Sequence, residues 1–130
     1  MYNERELHMF EQEMARKYSP STVKAMRRAV REFLQFCDKP VEKIDEFVIA
    51  DWSSEFALKY QDYHRRTVYT KNKGVYLFLN FCFNIGLIDR HPMSDYLLLC
   101  SRLIYEFEHK NPDDNNVVNL YDYSKKKLRS

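Results

Sequence analysis

Apolar residues recur at steps of three and four along most of this chain, and that period points to helices. Leu7, Phe10, Met14 and Tyr18 open the pattern. Ser19-Pro20-Ser21-Thr22 then breaks it, with a proline behind a hydroxyl, a combination that starts helices. Val23, Met26, Val30, Phe33, Leu34 and Cys37 form a second apolar set, which ends at Asp38-Lys39-Pro40. Ile49, Trp52, Phe56 and Tyr60 mark a third, shorter helix. A fourth, capped by Thr67 or Thr70, carries Val75, Phe78, Phe81, Cys82 and Ile85. Gly86 is suited to the left-handed residue that closes it. His91-Pro92 opens the next connection, and Leu97, Cys100, Ile104 and Phe107 suggest a fifth helix. No strand pattern competes, so the expected fold is all-α, a compact bundle of four to five helices.

Composition agrees. Of 130 residues 45% are hydrophobic, enough for a core, and only 2 are Gly and 4 Pro, which disfavours a turn-rich sandwich or a Gly-rich phosphate loop. The length suits one domain, expected over 1–110. The polar string at 111–116 and the basic run at 125–129 make 111–130 read as a mobile or partner-ordered tail. No apolar run approaches the roughly 18–20 residues of a membrane span, and residues 1–10 lack a signal-peptide core. Cys37, Cys82 and Cys100 are far apart, form no CxxC pair and lie in apolar periodic segments. They read as small buried hydrophobes rather than disulfide or zinc partners. A soluble protein of the reducing cytoplasm is expected.

The net charge of +2 hides a segregation along the chain. Residues 19–40 carry a net +3, 41–60 a net −3 and 61–91 a net +3. In the second helix Lys24, Arg27, Arg28 and Arg31 fall at i, i+3, i+4 and i+7, one stripe beside the apolar one. Such a stripe is either an ordinary solvated face or a surface for a polyanion.

The order of signals resembles the N-terminal core-binding domain of tyrosine recombinases, the SAM-like helical domain of phage integrases. The resemblance rests on Ser19-Pro20-Ser21-Thr22, Phe33-Leu34-Gln35-Phe36-Cys37, Thr67, Phe78, Phe81, Gly86-Leu87-Ile88 and His91-Pro92, and covers roughly residues 4–93. An extra helix would then span about 94–109. The chain departs from the family at His91, where Asn is usual, at Asn72, and at Gly74, which interrupts the fourth helix.

The resemblance implies that the second and fourth helices lie against duplex DNA. Thr22, Lys24, Arg27, Arg28 and Arg31 would face it, joined by Arg65, Arg66, Thr67, Lys71 and Lys73, neutralising phosphates and releasing counterions. No base-specific readout follows from these residues. A recombinase also needs a catalytic domain bearing arginines, a lysine, histidines and a nucleophilic tyrosine. Only 38 residues follow Pro92 and no HxxR motif occurs there, so the chain is not expected to be an enzyme, and Tyr121 and Tyr123 lack a constellation. His8, His64, His91 and His109 are scattered, with no HExxH, and no metal or small-molecule cofactor is expected. Asp113-Asp114-Asn115-Asn116 lacks the glycine and distal glutamate of a calcium loop and reads as an Asx-rich turn. Trp52 reads as a core anchor.

Two functions remain open. One is a non-catalytic module that binds double-stranded DNA as an accessory factor, regulator or competitor in the recombination of a phage or other mobile element. The other is an interaction or inhibitor module that uses Leu97, Cys100, Ile104 and Phe107, with the basic tail, to bind a full-length recombinase, another nucleic-acid enzyme or itself. In the second case, the fifth helix competes with a simpler role, completing the core of the monomer.

Overall fold

The computed structural model describes residues 1–110, the side chains of Phe107, His109 and Lys110 excepted. Five helices, α1 (Glu4–Ala15), α2 (Pro20–Cys37), α3 (Glu46–Lys59), α4 (Arg65–Asn84) and α5 (Pro92–Lys110), and one 3-10 turn (Val41–Lys43) make up the regular structure, with no strand among the described residues. The residues at 111–130, including the expected tail and the turn at 113–116, lie outside the described residues.

Each helix after the first begins where a side chain can accept a bond from its free amides. Ser19 Oγ accepts from the Thr22 amide at 3.4 Å, ahead of Pro20 in the first turn of α2. Asp45 Oδ1 accepts from Phe47 and Val48 at 3.1 and 3.0 Å. Imidazoles do the same for the last two helices. His64 Nδ1 accepts from Arg66 at 3.1 Å and His91 Nδ1 from Ser94 at 3.2 Å. The fourth helix is therefore capped by His64, not by Thr67 or Thr70, and His91-Pro92 starts α5 rather than a connection. At the other end of α4, Gly86 has φ 80°. Its amide donates to Phe83 and that of Leu87 to Cys82, a Schellman closure that ends the helix as the sequence predicts.

The core forms where α2 and α4 pack, with α1 and α3 alongside. Phe10, Met26, Val30, Phe33, Leu34, Ile49, Val75, Phe78 and Leu79 are almost wholly buried. Phe10 meets Phe78 edge to face at 5.5 Å, and Phe33 meets Trp52 at 5.2 Å, so Trp52 is a core anchor. Gly74 does not interrupt α4. A Cβ there would stand 3.1 Å from the Met26 Cα, so the glycine lets the two central helices approach. Tyr18 lies beyond the end of α1, and Ile85 is exposed.

The cysteines divide. Cys37 and Cys82 are buried, and burial pushes both thiols up to about 12. Cys100, expected to be buried like them, is only half-buried. The fifth helix explains this. It settles through Leu103, with Met93 and Tyr96 against the core, a side rotated away from the expected line of Leu97, Cys100 and Ile104.

Candidate nucleic-acid interface

At about 100° per residue, the apolar face of α2 turns inward and its bases turn to the back and one edge. Lys24, Arg28 and Arg31 are exposed and form no ion pair among the described residues. Arg27 sits at the edge nearest α1, where its guanidinium lies 3.6 Å from Glu11. Part of its charge is thereby met within the molecule. The Thr22 hydroxyl is 3.0 Å from Ser19 Oγ, inside the cap of α2.

The first turn of α4 exposes Arg65, Arg66 and Thr67. Thr70 Oγ1 donates to the Arg66 carbonyl at 3.0 Å, a bond back into its own helix. The two lysines that follow are sent to different neighbours. Lys71 Nζ stands 4.9 Å from the centroid of Tyr60. Lys73 Nζ stands 5.1 Å from that of Tyr18 and 5.9 Å from that of Tyr69.

Tyr60 belongs to a separate cluster. Glu32, on α2, accepts from Lys59 Nζ at 2.7 Å and from the Tyr60 hydroxyl at 2.6 Å. Burial works to raise the Glu32 carboxyl, but these bonds and the charges of Lys59 and Lys71 outweigh it and hold its pKa below the usual value. The hydrogen bond to Glu32 raises Lys59, keeping it charged. Lys71 thus faces a carboxylate already bound by another lysine, whereas Lys73 faces the rings of Tyr18 and Tyr69 and has no ion pair among the described residues.

Tyr18 joins the two helices. It shares a surface hollow with Glu11, Ala15, Pro20, Val23, Lys24 and Arg27, and Lys73 reaches it from α4. Lys24 and Arg27 are thereby connected through Tyr18 and Lys73 to Tyr69, one turn beyond Arg65 and Arg66. Part of the set predicted from sequence is in this way brought together: Lys24, Arg27 and Lys73 gather around Tyr18 and Tyr69, and Arg65 and Arg66 stand one turn before Tyr69. Arg28 and Arg31 continue from Lys24 along the same exposed stripe of α2, at i+4 and i+7, whereas Lys71 lies apart, beside Tyr60. Sequence reasoning missed the rings of Tyr18 and Tyr69. The four-residue step from Tyr69 to Lys73 was the available signal, since such pairs share a helix face.

A second hollow is lined by Glu42, Asp45, Glu46, Asp89 and Asp95, with Arg90 paired to Asp95 at 3.1 Å. Its carboxylates would repel phosphate, so the charge segregation of the sequence persists in space. Among the described residues no group of three His, Cys, Asp or Glu side chains could hold a metal ion, and no helix is long and apolar enough to cross a membrane.

On α5, Leu97 and Leu98 are 56% and 65% exposed, Ile104 is exposed, and Cys100 is half-buried. The side chain of Phe107, the fourth residue expected on that face, lies outside the described residues. Comparison of the chain with protein-family models, curated proteins and solved structures finds no match.

Proposed function

We propose that the chain is a non-catalytic, cytoplasmic DNA-binding module of the kind its resemblance to the tyrosine-recombinase core-binding domain implies. It would serve as an accessory factor, regulator or competitor in the recombination of a mobile element. One observation carries this reading: exposed bases on α2 and at the start of α4 are linked through Tyr18 and Lys73 into one surface. Cations at this density neutralise phosphates and release their counterions, so affinity falls steeply with salt. The test is fluorescence anisotropy with a duplex of about 25 base pairs between roughly 50 and 200 mM salt. Arg28→Glu with Arg31→Glu is the cleanest variant, because neither arginine has an internal ion-pair partner among the described residues and Arg27 does. The variant is expected to keep its helix content by circular dichroism. It should bind more weakly, with a log–log salt slope shallower by about 2 if each arginine meets one phosphate. Equal affinity in both proteins at matched helix content refutes the reading.

The exposure of Leu97 and Leu98 favours a second reading, a protein-interaction module that binds a recombinase or another copy of itself through α5. Sedimentation equilibrium with Leu98→Glu checks the self-association form. A monomer in both parent and variant removes it.

A further inference from the structure

Between the bases stand rings. From α2 to the start of α4 the surface runs Lys24, Tyr18, Lys73, Tyr69, then Arg66, so that cation and ring alternate. Tyr18 is half-buried against the core, but Tyr69 is 63% exposed on the outer face of α4. A single exposed ring would mean little. Two rings bracketing one lysine make a surface with a definite chemical preference. Duplex DNA hides the faces of its bases in the stack and offers phosphates and groove edges, with which a ring face has little to do. A single strand offers phosphate charge and free base faces in alternation, and each face can stack on an aromatic side chain whatever the sequence.

We infer that this track binds single-stranded nucleic acid, with Lys24, Lys73 and Arg66 on phosphates and Tyr69 as the platform for an unpaired base. The inference rests on the nucleic-acid reading of the same surface and adds the class of strand. Tyr69 contributes by its ring face rather than its hydroxyl, so phenylalanine replaces it and alanine does not. Because the side chain is exposed and alanine favours a helix, Tyr69→Ala keeps α4 intact.

The experiment measures binding of labelled dT25 and of a 25-base-pair duplex at one low salt concentration, for the parent, Tyr69→Ala and Tyr69→Phe, each checked by circular dichroism. The parent is expected to bind dT25 at least as tightly as the duplex. Tyr69→Ala should lose about 5- to 150-fold in affinity for dT25, the span of one stacked base, and less than about twofold for the duplex. Tyr69→Phe should bind both oligonucleotides like the parent. Equal binding of dT25 by parent and Tyr69→Ala overturns the inference, as does an equal loss on both oligonucleotides. Duplex binding that is erased by Arg28→Glu with Arg31→Glu would survive either of those results and leave the DNA-binding reading standing. Absence of binding to both oligonucleotides overturns the two together.

Discussion

A methyl group at position 74 would meet backbone, since the Met26 Cα and Cβ would lie 3.1 and 3.3 Å away. Backbone yields only if α2 moves as a whole. Gly74→Ala should therefore lower stability by up to about 2 kcal/mol, overpacking of about 1–3 kcal/mol set against a gain of about 1 kcal/mol in helix propensity. A drop in Tm checks it, and a rise would show that α2 gives way. His91 is the second telling residue. It caps α5 through Nδ1, its Nε2 lies 3.3 Å from the Tyr76 carbonyl, and its ring packs on Tyr76 at 4.7 Å. Burial lowers its pKa below the usual 6.5, against the opposing pull of the Tyr76 carbonyl and Asp95. The neutral imidazole is the form that can accept the Ser94 amide. Its contribution is complete above the unfolded pKa and is lost as pH falls through the depressed folded value. His91→Ala should cost about 1 kcal/mol at pH 8, the usual worth of a cap, and flatten the pH dependence of stability below about 6.5. Neither role could be read from the chain. Local propensity marks Gly74 as a helix breaker, and only the partner helix shows what its missing side chain permits.

Helices themselves were legible, because burial enforces the period of three and four that the sequence displays. Their joints were less so. The apolar line expected on α5 passes through Leu97, Cys100, Ile104 and Phe107, but among the described side chains Leu103 is the one that α5 buries, with Tyr96 packed against the core. Several faces of that helix are apolar enough to pack, and only the position of its neighbours selects one. The joint of α2 with the end of α3 was invisible for a similar reason: Glu32 meets Lys59 and Tyr60 across 27 and 28 residues. Glu32→Gln should cost about 1 kcal/mol, less than a fully buried charged bond because Glu32 is a third exposed. The folded pKa of Glu32 is depressed, so its stabilisation is present above about 4.5 and lost as pH falls through the folded value. Urea melts at pH 7 and at a series of pH values below 4.5 test both statements: parent and variant should differ at the first, and the difference should shrink as the pH falls.

Across the whole molecule, a net charge of +2 conceals two surfaces of opposite sign, one of bases interleaved with tyrosines, one of carboxylates around Arg90. The bases of α2 could be named from the sequence because helical spacing aligns them, whereas those of α4 were named from the resemblance. That Arg27 would turn to Glu11 and Lys71 to Tyr60 could not be read, since both partners come from other helices. A polyanion should approach this molecule from the basic side, and its rate of association should fall with ionic strength more than its rate of dissociation rises. Stopped-flow mixing with a labelled oligonucleotide measures the two separately. The uneven burial of the thiols has a practical corollary. Cys37 and Cys82 are enclosed and hard to ionise, while Cys100 is within reach of solvent. A maleimide dye should therefore enter the native protein at one position, on α5, and two more equivalents should react only after denaturation. The wild-type chain thus carries its own single-site spectroscopic handle, on a helix away from the bases of α2 and α4 in sequence.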